Sequence, residues 1–583
     1  MDGLNPEQQR IIDMEGNILV TACPGSGKTR TLTRKIAHEL STIERKKFLI
    51  ALTFTNRAAD EIQSRIDLMN IETSQLWTGT IHSFCLEWII KPYAGYHDKT
   101  KNGFTVIDEH RQEALLSRLK EDYGLRYYDG VNTKFNRSGD VLNVTQSKRD
   151  IVIEYHNYLE SNKLIDFDMI LYIAFQILTE RPQIAKTLSS LFPRIFVDEY
   201  QDTSDLQYGI IGKIVSCGNG ITRVLFVGDP DQAIFDTLGG VAKSLGEIVE
   251  EIGGYSITHC NLSGNYRSSQ RIIDLYRTFQ LTDLEITALG ETSRVQGEIT
   301  LNDVVDVDSL TEEIASLINR SIQKGIPMNE ICVIAPQWML LIPMARRLKI
   351  LLPHIDFDAP GLSPLPRRAE NFWFKVARLF LTEPQPSLYM NRIRWANEVL
   401  REMNQFTGSP YDLEPRGLLK IINSIHSHQY DGELFLRESF SEFLQKLKIQ
   451  LADHHLLEEH YNAFFNGLKQ RLQKELSLSS LDISSFRTMF KQHKGVVVNT
   501  CQGVKGEEFT TVIAFGLLEG LIPHFSLRNN SQASEESSKK LLYVICSRAK
   551  KNLHLISEVG RKYNTEINKQ LRDLNYNFDS IDI

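Results

Sequence analysis

Closely spaced cysteines are missing from this sequence: its seven stand far apart, at 23, 85, 217, 260, 332, 501 and 546, with no Cys-x-x-Cys pair and no Cys/His cluster of ligand spacing. That pattern argues against a zinc site, an iron–sulfur cluster and a disulfide framework. Also absent is any run of eighteen apolar residues uninterrupted by charge, and the first residues, MDGLNPEQQR, have no apolar core of the export-signal kind. A cytoplasmic protein in a reducing compartment, with no membrane partner, is expected. Nor is there an excess of positive charge. With 66 Lys and Arg against 73 Asp and Glu the formal net charge is −7, which excludes whole-surface attraction to nucleic acid or anionic lipid but leaves room for a local basic groove. No short repeat is present, and biased composition is confined to polar stretches such as NNSQASEESSKK (529–540), expected to be a surface loop.

What is present is ample globular material. The 583 residues, 42% hydrophobic and 24% charged, allow roughly three to five domains of about 150 residues each. Apolar runs that end in Gly/Asp/Ser turns and lead into helical patterns occur at NILVTA (17–22), FLIALTFT (48–55), RIFVDE (194–199) and RVLFVGD (223–229). A second set follows at EICVIAP (330–336), GVVVNT (495–500), TTVIAFG (510–516) and NLHLIS (552–557). Strands that are apolar on both faces and alternate with helices predict parallel sheets covered on both sides, hence an α/β fold with two sheet domains. The stretches at about 89–187 and 361–494 have helical periodicity instead. They are expected to be two helical inserts leaving the sheets at the end where ligands bind.

The first strand runs into Ala22-Cys23-Pro24-Gly25-Ser26-Gly27-Lys28-Thr29 and a helix that keeps Leu32, Ile36 and Leu40 on one face. Glycines 25 and 27 let backbone N–H groups curl round a phosphate, Lys28 reaches the outer phosphates and the Thr29 hydroxyl suits Mg²⁺. Ala22 stands where the general pattern has its first glycine. Phosphoryl transfer also needs a carboxylate on the metal and a group that orients water; Asp198 and Glu199, at the end of a second apolar strand, provide both. Gln232, after a third strand in Gly228-Asp229-Pro230-Asp231-Gln232, is placed to sense a terminal phosphate.

Taken in order, these motifs and others resemble the UvrD/Rep/PcrA-like group of superfamily 1 helicases over nearly the whole chain. Leu4-Asn5-Pro6-Glu7-Gln8 is similar to the Q motif and CPGSGKTR to motif I. ALTFTNRAADEI (51–62), TGTIHSF (78–84) and LIDFDMI (164–170) match motif Ia, the next strand-contacting motif and a signature of the first insert. VDEYQDTSDLQ (197–207), VGDPDQAIF (227–235) and LSGNYRSS (262–269) resemble motifs II, III and IV. NTCQGVKGEEF (499–509) with EGLIP (519–523) resembles motif V, and KKLLYVICSRAKK (539–551) motif VI.

The resemblance implies two RecA-like motor domains, at 1–88 with 188–275 and at 276–360 with 495–583, interrupted by helical inserts at 89–187 and 361–494. It implies ATP and Mg²⁺ in the cleft between the motors, with Gln8 reading adenine and Tyr266 stacking on it. Arg30 and Gly506 lie in the same site, Glu508 is on the ribose, and Arg267 and Arg548 are at the γ-phosphate as planar, permanently charged donors. Single-stranded DNA and its junctions with duplex would meet Phe54, Thr55, Asn56, Thr80, His82, Ser83 and Phe235 in the first motor and Thr500 and Gln502 in the second, with translocation 3′ to 5′.

The match departs from the pattern after motif III, where the group has an aromatic and an arginine and this chain has Thr237 and Leu238. A stacking platform worth about 1–3 kcal/mol per base is thereby lost. With about 35 residues after Arg548, nuclease activity is expected only from a partner. The proportions resemble helicase subunits of anti-phage modules of the Gabija type, which pair with an OLD-family TOPRIM nuclease. An ATP- and DNA-sensing regulatory subunit with little unwinding of its own is the alternative, and a P-loop ATPase indifferent to DNA is a third.

Overall fold

Runs such as IALT and IFVD bury every residue because each lies inside a parallel sheet covered on both faces. The computed structural model describes residues 3–580 apart from 108, 127–128, 143–144, 236–238, 360–364, 366–370, 409–412, 476–480, 491–494, 524–530 and 564–565. The departure at Thr237 and Leu238 lies outside the described residues.

The strands in chain order are β1 (Asn17–Ala22), β2 (Leu49–Thr53), β3 (Leu76–Thr80), β4 (Thr105–Val106), β5 (Leu164–Ile165), β6 (Arg194–Asp198), β7 (Arg223–Gly228) and β8 (Ile257–Leu262), followed by β9 (Gly264–Asn265), β10 (Thr287–Ala288), β11 (Ile299–Asn302), β12 (Ile331–Ala335), β13 (Phe357–Asp358), β14 (Val496–Thr500), β15 (Phe509–Ala514) and β16 (Ala549–Ile556). One six-stranded sheet has the order β3-β2-β6-β7-β1-β8 and the other β11-β16-β15-β12-β14-β13. Every pairing in both is parallel, for example Ile18 opposite Leu225 and Val333 opposite Val498. These are two RecA-like sheets, as the alternating pattern predicts. Because the strands run the same way, the loops after β1, β6, β7 and β8 all emerge at one edge, where an open α/β sheet binds its ligands.

The chain between β3 and β6 is mainly helical and does not form a core of its own. Ile165, Ile173 and Ile177 pack in one cluster with Leu19, Ile50 and Val197 of the sheet. Between β13 and β14 the helices Phe372–Leu381, Tyr389–Thr407, Pro415–Asn423, Gly432–Leu447 and His455–Gln470 close round Trp373, Phe440 and Phe464. The buried members of that cluster all lie between residues 365 and 486.

One expectation fails. The polar stretch at 529–540 is not a loop over its described part, because the helix Ser531–Cys546 begins there. Polarity obscured helix-favouring pairs one turn apart, Lys539 on Glu535 at 2.9 Å and Gln532 on Glu536 at 3.1 Å. Among the described residues no helix is long and apolar enough to cross a membrane.

Candidate functional site

The loop after β1 is shaped by two left-handed glycines, Gly25 at φ 67° and Gly27 at φ 78°. At both the space is filled as well: a β-carbon on Gly25 would lie 2.5 Å from Arg267 Cβ, and one on Gly27 2.8 Å from Gln8 Nε2. The helix Lys28–Leu40 starts on Gly27 with no side-chain cap, so its first N–H groups face the loop unsatisfied and carry the positive end of the helix dipole. Inside the same cradle the buried Ser26 hydroxyl has no partner. A phosphate fits this arrangement of donors.

Asp198 ends β6 and Glu199 follows in a left-handed conformation, φ 52° and ψ 50°, strained for a residue with a side chain. The turn sends the Glu199 carboxylate towards Lys28, with Nζ 3.7 Å from Oε1. It also brings Gln201 back between two strand ends: its Nε2 donates to Glu199 Oε2 at 2.6 Å and its Oε1 accepts from Asp229 N–H at 3.0 Å. Burial, reinforced by neighbouring Glu199, pushes the Asp198 carboxyl up to about 7. Glu199 goes the other way: against the effect of burial, Lys28 and Lys505 hold it below the ordinary carboxylate value. Asp229 is likewise raised to about 7 by burial, against the pull of Lys28. Asp198 and Thr29 line the same cavity, and a carboxylate with a hydroxyl is an all-oxygen donor pair suited to Mg²⁺. Among the described residues no group of three or more His, Cys, Asp or Glu is placed to hold a metal, so a cation here would share its shell with phosphate and water.

The second sheet closes the cleft. Arg548 is buried, and its guanidinium donates to Gln232 Oε1 at 2.8 Å and to the Glu507 carbonyl at 3.2 Å. Burial first, then Arg267, pushes it down to about 9, which leaves it a cation at neutral pH. Arg267 donates to Glu508 Oε2 at 2.8 Å and to the Ser547 carbonyl at 3.0 Å. Asn265 ties this segment to the phosphate loop: its Nδ2 donates to the Pro24 carbonyl at 2.7 Å while its Oδ1 accepts from the N–H groups of Arg267 and Ser268. A cavity of about 530 Å³ is lined by residues of both sides, among them Gly25 to Arg30, Asp198, Glu199, Gln232, Tyr266, Gly506, Glu508 and Arg548.

Gln8 is buried on the phosphate loop rather than among the residues that line the cavity, donating to the Ser26 carbonyl at 2.9 Å and accepting from Asn5 N–H at 3.1 Å. Ala22 and Cys23 are buried at the strand end, and burial pushes the Cys23 thiol up.

Phe54, whose ring stacks on Phe235 at 4.8 Å, lines the same cavity as the phosphate loop, as do Thr55 and Phe235. Thr55 and Thr80 cap the helices Asn56–Asp67 and Ile81–Phe84 by accepting from Ala58 and Ser83 N–H. Asn56, Thr80, His82 and Ser83 line a cavity of about 720 Å³ shared with Phe167 and with Arg401 and Glu402 of the second helical segment. Burial, then the charge of Lys134, holds His82 down to about 4, so its ring is neutral. In the second sheet Thr500 is buried, its hydroxyl accepting from Gly503 N–H at 3.1 Å. Gln502 lines the nucleotide-sized cavity.

Several residues were invisible as individuals in the sequence. Lys505 sits within the nucleotide-sized cavity: its ammonium donates to Asp202 at 2.6 Å and to the Gln232 carbonyl at 2.7 Å, and lies 5.0 Å from the centre of the Phe235 ring. Asp202, Gln201 and Asn265 stood within recognised motifs, but nothing in the spacing says which partner each would choose. Phe167, at the insert signature, sits 5.5 Å from the His82 ring.

Two RecA-like sheets with a phosphate loop on one and arginines from the other define a two-domain P-loop fold. The UvrD/REP helicase N-terminal domain model matches residues 4–251, and the UvrD-like helicase C-terminal domain model matches residues 436–559. The chain belongs to this UvrD/Rep/PcrA-like family of superfamily 1. It is 28% identical over 354 residues to ATP-dependent DNA helicase UvrD1 of Mycobacterium leprae, covering 54% of this chain and 45% of that protein. It is 30% identical over 289 residues to ATP-dependent DNA helicase Rep of Escherichia coli, covering 46% and 42%, and 29% identical over 294 residues to ATP-dependent DNA helicase PcrA of Leuconostoc citreum, covering 47% and 38%. The match thus spans less than half the length of these relatives.

Proposed function

We propose that the chain is a Mg-ATP-driven motor on single-stranded DNA, moving 3′ to 5′ and unwinding at junctions with duplex. The observation that carries this reading is the chain of contacts from Arg548 through Gln232 to Lys505 and Phe235, because it joins the phosphate-loop residues to the stacked pair Phe54 and Phe235 within one cavity. In this reading Gly25 to Thr29 and Arg30 hold the phosphates, with Ala22 and Cys23 shaping the loop, Gln8 and Tyr266 lie at the base, and Glu508 and Gly506 at the ribose. Thr29 and Asp198 would hold Mg²⁺, which would supply positive charge against the charge developing on the transferred group. Glu199 orients and deprotonates the attacking water, its carboxylate kept ionised by Lys28 and Lys505. Arg267 and Arg548 stabilise charge on the transferring group, and Gln232, bonded to Arg548, transmits its state.

Movement follows if closure of the cleft alters the grip of Phe54, Phe235, Thr55, Asn56, Thr80, His82, Ser83, Thr500 and Gln502 on the strand. The inserts are assigned to 89–187 and 361–494, with motors at 1–88 with 188–275 and at 276–360 with 495–583, in a cytoplasmic protein. ATP turnover without nucleic acid, with oligo-dT and with duplex, in wild type, Lys28→Ala and Glu199→Gln, tests this. Strand-stimulated turnover lost in both variants is expected, and turnover unchanged in either variant or indifferent to DNA overturns it. The composition of residues 237 and 238 favours a second reading, a DNA-sensing subunit of a nuclease complex such as an anti-phage module with a TOPRIM nuclease. Strand displacement by the chain alone would exclude it.

A further inference from the structure

The two sides of the helix Tyr389–Thr407, in the second helical segment, have different fates. Ala396, Val399, Leu400 and Met403 are buried in that segment's own core. Glu398, Arg401, Glu402, Gln405 and Phe406 recur every three or four residues, which sets them along the other side, and all five line the cavity of about 720 Å³. Asn56, Thr80, His82 and Ser83, the residues expected on single-stranded DNA, line the same cavity from the first motor. The strand-contacting motif is also carried further into it. The helix Ile81–Phe84 passes directly into a π-helix at Cys85–Ile90, a wide turn of the kind that recurs at functional sites, and Leu86, Glu87 and Lys91 stand on the cavity wall.

The chemistry of the wall suits a nucleotide of a single strand. The volume falls in the range of about 300–1,000 Å³ found for sites that enclose ligands of that size. Phe104, Phe167 and Phe406 supply aromatic faces, and Phe167 is 37% exposed; stacking on such faces accepts any base. The three carboxylates on the wall are neutralised within the protein, Glu87 by Arg401 at 2.9 Å, and Glu398 and Glu402 by Lys375, which lies 3.1 Å from Glu398. Among the described residues Lys91 has no ion pair, so the wall keeps a cation for a phosphate. Resting on the reading of the chain as a motor on single-stranded DNA, we propose that the helix Tyr389–Thr407 completes the single-strand site. A base of the strand that passes Thr80 and His82 enters this cavity and packs on Phe406, with its phosphate at Lys91. The second helical segment is then a wall of the strand's path as well as a body set against the first sheet.

The test is binding of oligo-dT and of an abasic strand of equal length by the full chain, for wild type, Phe406→Leu and Lys91→Met, followed by fluorescence anisotropy. Losing a stacking platform weakens single-strand binding about fivefold or more. Phe406→Leu should show that loss on oligo-dT and none on the abasic strand, which has no base to stack. Lys91→Met should weaken binding of both strands, by a factor that shrinks about threefold between 50 and 200 mM salt, as removal of one phosphate contact requires. Wild-type affinity of Phe406→Leu for oligo-dT, a loss in that variant equal on both strands, or a Lys91→Met salt curve that coincides with wild type overturns the assignment. Failure of the wild-type chain to bind oligo-dT at all overturns instead the motor reading beneath it.

Discussion

The two helical segments that interrupt the sheets are built on opposite terms. The one between β3 and β6 shares its apolar core with the first sheet, so that Ile173 and Leu178 lie in one cluster with Ile50 and Val197. The one between β13 and β14 buries Trp373, Phe440 and Phe464 among its own helices. It meets the rest of the chain through polar contacts: Arg401 on Glu87 at 2.9 Å, Arg111 on Glu459 at 2.9 Å and Arg394 on the Ser64 hydroxyl at 3.0 Å. A continuous apolar core ties two bodies into one cooperative unit, whereas exposed ion pairs contribute at most about 1 kcal/mol each. The first segment is therefore part of the nucleotide-binding body, and the second is a separate folding unit set against it.

Core truncation gives the largest contrast. Ile173→Ala and Phe440→Ala each empty a fully buried site and should cost about 2–5 kcal/mol. Mg-ADP binds the cradle after β1 in the proposed function, and a ligand stabilises the unit that holds it. In thermal unfolding Ile173→Ala should lower the transition that Mg-ADP raises, while Phe440→Ala should lower one that Mg-ADP leaves in place. Equal loss of the nucleotide-sensitive transition in both variants would show that the two cores unfold together.

Much of this architecture is legible in the chain because its strands are unusually plain. NILVTA, RIFVD and RVLFVG are apolar on both faces and end in turns, and only a parallel sheet satisfies such runs. Lys28, Thr29, Asp198, Glu199, Gln232 and Arg548, singled out by motif, all line one cavity. Partner choice is another matter. Gln201 joins Glu199 to Asp229 only because Glu199 takes a left-handed turn that no β-carbon-bearing residue announces. Gln502, expected on the strand, stands on the cleft wall because the residues after β14 curl back under the Thr500 hydroxyl. The helix Ser531–Cys546 was hidden by polar composition, since its stabilising pairs are local and charged rather than apolar.

Acid should act on the first segment. His156 is buried between Tyr155 and Phe135, its Nε2–H donating to the Thr133 carbonyl while Nδ1 has no partner. Burial, with Lys99 adding to it, lowers its pKa to about 4, so the folded chain keeps the ring neutral where the unfolded chain, near 6.5, takes up a proton. The unfolded state then binds more protons between pH 6.5 and 4, and stability falls as pH drops through that window. Nearby Asp166, raised by burial to about 6, works in the opposite direction, so the wild-type curve alone does not isolate the histidine. The difference between wild type and His156→Gln does. It should move on the order of 2 kcal/mol against wild type between pH 7 and 4.5, read from urea unfolding of the nucleotide-sensitive transition. A difference independent of pH would mean that His156 takes up its proton in the fold as readily as in the unfolded chain.

The smallest effect belongs to the polar seam. Arg401→Ala and Arg394→Ala should each cost about 0.2–1 kcal/mol of contact between the second segment and the helix Asn56–Asp67 with its neighbours, and added salt should mimic them by screening. Glu87 also accepts from Trp77 Nε1 at 3.0 Å, so removing Arg401 does not leave it without a partner, and the loss stays small. The expected signature is faster amide hydrogen exchange in residues 60–67 and 391–401 of the double variant, matched by wild type at 0.5 M salt. The melting of the segment's own core should hold at its wild-type temperature, because Trp373 and Phe440 do not depend on the seam. A drop in that melting temperature would mean that the second segment needs the first sheet in order to fold, and the contrast between the two would be one of degree.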